Sequence, residues 1–119
     1  MTFKELIVWQ KSMDLVDEVY ALTKIFPKME MYALTNQVRR AVVSVPSNIA
    51  EGFKRNTEMD FARFLSISAG SCAEVETQIY IAIRQKMINE EQAEIALSLC
   101  DEIGRMLGSM IGKIKNNNK

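Results

Sequence analysis

The strongest constraint on the fold lies between Gln37 and Arg55, where two helical stripes run side by side. At about 100° per residue, positions that step alternately by four and three residues fall on one face of a helix. The polar stripe consists of Gln37, Ala41, Ser44, Asn48, Glu51 and Arg55. The apolar stripe beside it consists of Leu34, Val38, Val42, Val45, Ile49 and Phe53. We expect this segment to bury one face in a core and to offer the other to a neighbour.

Pro46 lies in the middle of both stripes. A proline inside a helix removes one backbone hydrogen bond and clashes with the carbonyl four residues earlier, here Val42, at a cost of about 3 kcal/mol. Both stripes nevertheless keep their register across it. This continuity favours one bent helix over two separate helices broken at Val45-Pro46, because a break would normally reset the register.

Amphipathic periodicity predicts four helices in all. They cover about residues 3–25, 31–55, 58–88 and 90–115. Capping boxes of Thr2 with Glu5 and of Asn89 with Gln92 are expected to begin the first and the fourth, and Thr57 should cap the third. Short turns make sequential helices antiparallel. The predicted fold is therefore all-α, an up-down-up-down antiparallel four-helix bundle with a proline-kinked second helix, in a single domain of residues 1–119.

Three helices carry residues that the bundle core alone does not explain. The apolar arc of the first helix is wide enough for two partners; it comprises Val8, Trp9, Ser12, Met13, Leu15, Val16, Val19, Tyr20, Leu22, Thr23 and Phe26. The third helix has, beside its core seam, a second seam whose small residues would let another backbone approach; it comprises Ala62, Ser66, Ala69, Ala73, Glu76 and Tyr80. The fourth repeats Gly104, Gly108 and Gly112, each costing about 1 kcal/mol relative to alanine. These glycines indicate either a loosely held or a closely packed final helix.

The composition excludes several classes of function. Fifteen Lys and Arg residues balance fifteen Asp and Glu residues, so no overall charge attracts nucleic acid or an anionic membrane. The apolar runs are too short to cross a membrane, and the first residues do not form a secretion signal, so we expect a cytoplasmic protein without membrane partners.

The chain contains no histidine. This removes the usual general base of Ser-His and Cys-His nucleophiles and the Glu-x-x-His pairs of di-iron bundles. We predict no catalytic residues, no metal site, no cofactor and no enzymatic activity. Cys72 and Cys100 fall on apolar stripes and are expected to be buried, inert thiols; a redox or disulfide role is the alternative.

If the second and third helices fold back at Asn56-Thr57, residues whose numbers sum to about 114 should lie at the same height. The pairs are then Asn48 with Ser66, Glu51 with Arg63, and Arg40 with Glu74. We interpret the polar residues near this interface as a structural layer that fixes register and satisfies the carbonyl freed by Pro46. Its members are Gln37, Ser44, Asn48, Glu51, Glu74 and Glu76. A binding groove is the alternative.

Basic residues near the same helix are candidates for contact with phosphate or with a partner's carboxylates. They are Arg39, Arg40, Lys54, Arg55 and Arg63, and Lys113, Lys115 and Lys119 add a basic tail. A solvated face paired with Glu74 or Glu76 is the alternative. No aromatic residues alternate with these charges, so base stacking is not indicated.

Four segments resemble a known family. They read Phe3-x-x-Leu6-x-x-Trp9-Gln10-Lys11, Glu30-x-Tyr32-x-Leu34-x-x-Gln37-x-Arg39-Arg40-Ala41, Ser44-Val45-Pro46-x-Asn48-Ile49-Ala50-Glu51-Gly52 and Gly70-Ser71-x-x-Glu74-x-Glu76. The chain thus resembles the bacterial four-helix bundle family of 23S ribosomal RNA intervening sequences. That family is similar in fold to the accessory variability protein of diversity-generating retroelements, a pentameric barrel that binds nucleic acid and a reverse transcriptase. The resemblance implies a homopentamer and contact with RNA or DNA.

Together these observations predict a non-enzymatic, self-associating bundle that acts as a scaffold or accessory factor linked to ribosomal RNA or other nucleic acid. The alternative function is a protein-protein interaction module with no nucleic-acid contact. An enzyme that uses Glu51 with Arg63 or Arg40 is a third, disfavoured hypothesis.

Overall fold

The computed structural model describes residues 1–118, which form four α-helices and no strand. The helices are α1 (Ile7–Thr23), α2 (Leu34–Phe53), α3 (Glu58–Arg84) and α4 (Glu90–Asn117), with short 3-10 helices at Phe3–Glu5 and Lys28–Glu30. α1 contacts α2, α2 contacts α3, α3 contacts α4, and α4 closes the square against α1, while no diagonal pair of these helices is in contact. The predicted all-α, antiparallel four-helix bundle is confirmed.

The apolar stripe of α2 lies in the core, as the sequence predicts. Val42, Val45 and Ile49 are fully buried, and Leu34 and Phe53 at the two ends of the helix are partly buried. The core seam of α3 meets this stripe with five buried residues, Leu65, Ser68, Cys72, Val75 and Ile79. Since both stripes repeat every three or four residues, each helix presents a continuous ridge to its neighbour.

α2 runs without interruption from Leu34 to Phe53 and contains Pro46 in its interior. The alternative of two helices broken at Val45-Pro46 is therefore wrong. The bend at the proline stays a prediction. Burial of the Pro46 ring and of the flanking Val45 offsets part of the free-energy cost of the missing hydrogen bond.

The first helix begins later than predicted. Phe3–Glu5 is a 3-10 turn, Leu6 is extended at φ −70° and ψ 125°, and α1 starts only at Ile7. The Thr2 side chain makes no capping hydrogen bond, so the expected capping box is wrong. The turn folds the Phe3 ring onto the Trp9 ring at 5.4 Å between centroids, and this aromatic contact replaces the cap.

The second helix also begins later and the third ends earlier than predicted. A 3-10 turn precedes α2, and the Glu30 carboxylate accepts a hydrogen bond from the Leu34 N–H at 3.4 Å. α3 stops at Arg84 because Lys86 adopts a left-handed conformation, φ 61°, and the Met87 N–H returns to the Ala82 carbonyl at 2.9 Å. These bonds close the helix in the manner of a Schellman cap.

The caps of the last two helices agree with the sequence. The Thr57 hydroxyl accepts from the Asp60 N–H at 3.1 Å. Asn89 and Gln92 form the predicted capping box, each side chain accepting from the backbone N–H of the other at 2.8 and 2.9 Å. Such reciprocal bonds satisfy donors that a helix start leaves free.

Glycines play opposite roles in α2 and α4. A Cβ atom on Gly52 would lie 2.6 Å from the Phe64 Cβ, so α2 and α3 approach too closely there for any larger residue. A Cβ on Gly104, Gly108 or Gly112 would meet nothing within 4 Å. These three glycines therefore do not serve to pack α4 closely against another helix of this chain.

Candidate functional site

A line of side-chain hydrogen bonds joins α2 to α3 beside the proline. The hydroxyls of Ser44 and Ser71 are hydrogen-bonded at 2.7 Å between their oxygens. The Asn48 amide donates to the Ser44 carbonyl at 2.8 Å and to the Ser44 hydroxyl oxygen at 2.9 Å. The buried Ser68 hydroxyl donates to the Val45 carbonyl. We call these four side chains the serine seam.

Three consecutive backbone carbonyls that precede Pro46 accept hydrogen bonds from side chains. Side chains of Ser47, Asn48 and Ser68 donate to the carbonyls of Val43, Ser44 and Val45, respectively. The prediction had assigned such a donor to the Val42 carbonyl, but no side chain of the described residues bonds to it. A proline ring displaces the turn before it, and side-chain donors commonly enter the hydrogen-bond ladder at such a point.

The register of α2 against α3 matches the prediction, since Ser44 pairs with Ser71 and Val45 with Ser68. None of the three pairs named from the sequence forms a hydrogen bond or an ion pair among residues 1–118. Ser66 faces solvent and Asn48 bonds within its own helix instead. A bond within one helix forms in preference to a bond between helices, because a partner one turn away in the same helix needs no precise match between two helices.

The second failed pair is Glu51 with Arg63. Glu51 forms an ion pair with Arg55 at 3.6 Å, and Arg63 forms one with Asp60 at 3.7 Å, both within a single helix. Glu51 is exposed, and it does not take part in the serine seam. Glu76 is half-buried on another face of α3. Its negative charge there favours the protonated form of the Cys72 and Cys100 thiols.

The third pair, Arg40 and Glu74, lines an open cleft between α2 and α3. This polar cleft has a volume of about 390 Å³. Its lining comprises Asn36, Gln37, Arg40, Ala41, Ser44, Ser71, Glu74 and Gln78. Arg40 and Glu74 make no ion pair with any described residue. The Gln78 side-chain oxygen is buried and has no hydrogen-bond partner among residues 1–118.

Sequence reasoning assigned Gln37, Ser44 and Glu74 to the polar layer but missed Asn36, Ser68, Ser71 and Gln78. A signal for two of them was present. Ser71, Glu74 and Gln78 step by three and four along α3, the same rhythm that revealed the polar stripe of α2.

The five basic residues do not form one surface. Arg39 donates from Nε to the Thr23 hydroxyl at 2.8 Å, and its guanidinium lies 4.7 Å from the centre of the Tyr20 ring, so α1 holds it. Arg40 lies in the polar cleft. The rest cluster at the turn between α2 and α3, about 22 Å from Arg40 at 1.5 Å per residue.

At that turn the arginines share one aromatic ring. The guanidinium groups of Arg55 and Arg63 each lie 4.7 Å from the centre of the Phe64 ring, and both are paired with carboxylates. Lys54 follows the end of α2 and is exposed. Of the basic tail, Lys113 and Lys115 lie on the exposed surface of α4, and Lys119 lies outside the described residues.

A second surface feature is an apolar groove between α1 and α2, lined by Trp9, Met13, Val16, Val43, Pro46, Ser47 and Ala50. Trp9, Met13 and Val16 line it from α1, and the other four residues line it from α2. α1 and α2 are also joined by the Arg39 guanidinium, which lies 4.7 Å from the centre of the Tyr20 ring. The proline that interrupts the backbone ladder thus also supplies part of this apolar wall.

The cysteines form a buried contact in the core. Cys72 and Cys100 are free thiols, and the Cys72 sulfur lies 3.5 Å from the Cys100 carbonyl oxygen. The hydrogen bond with the Cys72 thiol, together with burial, raises the pKa of Cys100 far above its ordinary value. A thiol in this position is a poor nucleophile.

Within residues 1–118, no group of three or more acidic or thiol side chains is arranged to hold a metal ion. Each of the four described helices is too short in apolar length to cross a lipid bilayer. The fold and the serine seam define a class of protein: a small antiparallel four-helix bundle whose proline-bearing helix is tied to the next by hydroxyl and amide groups.

The chain belongs to the 23S rRNA-intervening sequence protein family, whose model matches residues 4–109. A solved structure with the same fold comes from Bacteroides thetaiotaomicron and is described as a protein of unknown function from the S23 ribosomal protein family. It is 26% identical, the match covers 88% of this chain and 98% of that chain, and the TM-score is 0.82. No curated protein matches this chain. Neither description names an enzymatic activity.

Proposed function

We propose that the chain is a non-enzymatic scaffold whose identical copies associate into a ring and act as an accessory factor beside ribosomal RNA in the cytoplasm. The observation that supports this proposal best is the uncovered apolar groove between α1 and α2. Self-association is the part that rests on the geometry. Contact with nucleic acid rests on the family.

The groove has the shape and the apolar lining of a surface that can bind a helix. Met13 and Val43 are 39% and 43% exposed, and Trp9 and Val16 are only partly covered. Along α1, Trp9, Met13, Val16 and Tyr20 follow the alternating steps of four and three that pack one helix against another. Covering such an apolar strip releases water and favours association.

A second face lies on the other side of the square bundle, along α3 and α4. Ser66, Ala73 and Tyr80 of the second α3 seam are exposed, and Gly108 of α4 is exposed as well. Apart from Tyr80, these residues are small and let a neighbouring helix approach closely. An interface that joins two different faces is heterologous, and repeated contacts of that kind generate a closed ring when the rotation closes. Five subunits is the number that the family resemblance implies.

Support for contact with RNA comes from the family description, which refers to 23S rRNA. The basic groups that could meet phosphate are Arg40 in the cleft and Lys54, Arg55 and Arg63 at the α2–α3 turn. In a contact with phosphate, Arg and Lys side chains would neutralise the phosphate charge and release the counterions that the nucleic acid holds.

The second candidate function is a protein-interaction module without nucleic-acid contact. The ion pairs of Arg55 with Glu51 and of Arg63 with Asp60 favour it, because these guanidinium groups already have carboxylate partners. The zero net charge of the chain favours it too.

Two measurements test the proposal. Light scattering on the purified chain gives the mass of the assembly, and a mass of one subunit at all concentrations would contradict self-association. Titration with a labelled 23S rRNA fragment at two salt concentrations tests the RNA part. Affinity that falls steeply with salt supports phosphate contact, whereas no binding at the lower salt concentration would leave the protein-interaction module as the function.

A further inference from the structure

The two walls of the polar cleft carry opposite hydrogen-bonding character. On α2, Arg40 and Ser44 lie one turn apart and present a guanidinium and a hydroxyl. On α3, Glu74 lines the cleft with a carboxylate, one turn from Gln78, whose side-chain oxygen is buried. Residues four apart share one face of a helix. One wall therefore offers donors and the other offers acceptors.

Several of these groups have no partner within residues 1–118. Arg40 and Glu74 line the same cleft yet form no ion pair, and the Gln78 side-chain oxygen is buried without a donor. The Ser44–Ser71 bond uses only one of two hydroxyl protons. Since Asn48 donates to Ser44, it takes up neither proton, and one hydroxyl remains free to donate. A buried polar atom without a partner costs about 1–3 kcal/mol.

We propose that the polar cleft binds a small zwitterion, a free α-amino acid. The carboxylate of the ligand accepts hydrogen bonds from the Arg40 guanidinium and from the free serine hydroxyl. Its ammonium group donates to the Glu74 carboxylate, which has no ion-pair partner among residues 1–118. The volume of about 390 Å³ suits a ligand of this size, and the small Ala41 side chain leaves the floor of the cleft open.

The rest of the lining selects among amino acids. Asn36 and Gln37 place two more amide groups next to Arg40 and Gln78. A primary amide can donate to and accept from such groups at once, so a ligand with an amide side chain fits best. A simple anion fits worse, because Glu74 would repel it, and a simple cation would be repelled by Arg40.

Nuclear magnetic resonance titration of the full chain with L-glutamine tests this inference. We expect saturable shifts of the backbone amide signals of residues 36–44 and 71–78. N-acetyl-L-glutamine lacks the ammonium group and L-glutaminamide lacks the carboxylate, so each should bind about tenfold more weakly or worse. Inorganic phosphate should produce no saturable shifts in these residues.

Two arginine variants locate the site. Arg40→Met should weaken L-glutamine binding by about tenfold or more. Arg105→Met is the matched control, because Arg105 is exposed on α4 and pairs with Asp101 away from the cleft, and it should bind as the wild type does. Unchanged circular dichroism spectra show that both variants fold.

Three results would overturn the proposal. The first is the absence of saturable shifts with L-glutamine up to about 10 mM. The second is equal binding of the acetylated or amidated analogue. The third is binding of phosphate in place of L-glutamine, which would make the cleft an anion site.

Discussion

The Ser68 hydroxyl lies 2.5 Å from the Val45 carbonyl oxygen, one residue before the proline in α2. Ser68 is fully buried, and so is Val45. α3 thus donates a hydrogen bond to α2 at the turn where Pro46 removes one. The contact fixes both the height of the two helices and the conformation of the interrupted turn.

Ser68→Ala tests the strength of this contact. We expect the free energy of unfolding to fall by about 1–2 kcal/mol, because a buried donor is lost from an interhelical bond. Ser66→Ala is the matched control, since Ser66 is exposed on the same helix, and its effect should stay within about 0.5 kcal/mol. Urea unfolding measures both values. Equal midpoints for the two variants would show that the Ser68 bond does not stabilise the bundle.

Glycine-to-alanine substitutions should have opposite signs in α2 and α4. Gly52→Ala places a methyl group 2.6 Å from the Phe64 Cβ, so α2 and α3 must separate, at about 1–3 kcal/mol. Gly108→Ala meets no atom within 4 Å and should stabilise the helix by about 1 kcal/mol. Thermal unfolding of the two variants checks the prediction. Stabilisation by Gly52→Ala would contradict the close approach of the helices.

The native thiols should resist chemical modification at neutral pH. Cys72 and Cys100 are buried, and hydrogen bonding with burial raises the pKa of Cys100. A thiol reagent should react slowly with the folded chain and rapidly, at both cysteines, after denaturation. Because the folded state holds the Cys100 proton more tightly, the stability that this thiol contributes is lost as pH rises above the thiol range of the unfolded chain, about 8.5. Rapid reaction in the folded state at neutral pH would contradict the burial.

The continuous helix through Pro46 was predictable because its two stripes keep register on both sides of the proline. The start of the first helix was not, since the local capping signal of Thr2 competes with a tertiary contact between Phe3 and Trp9 that the sequence does not reveal. The cap at Asn89 was predictable, because its bonds are made with Gln92 three residues later in the same chain segment.

The polar residues show a similar division. The register of α2 and α3 follows from the length of the turn, and the Ser44–Ser71 contact fits it, although this pair was not among those named from the sequence. The ion-pair partners of charged residues cannot be predicted from this register. The flexible side chains of Glu51 and Arg63 each reach an oppositely charged residue one turn away in the same chain segment. Gln78 lines the polar cleft, and the burial of its unpaired oxygen is visible only in three dimensions.

The mass of two methionine variants tests the central claim, self-association through the apolar groove, most directly. Met13 lies in the groove, whereas Met59 lies in the first turn of α3; they are 39% and 49% exposed. Light scattering should give an assembly of about five 13.5 kDa chains for the wild type and for Met59→Glu, and a single chain for Met13→Glu. The same mass for all three proteins, whether one chain or several, would contradict the claim.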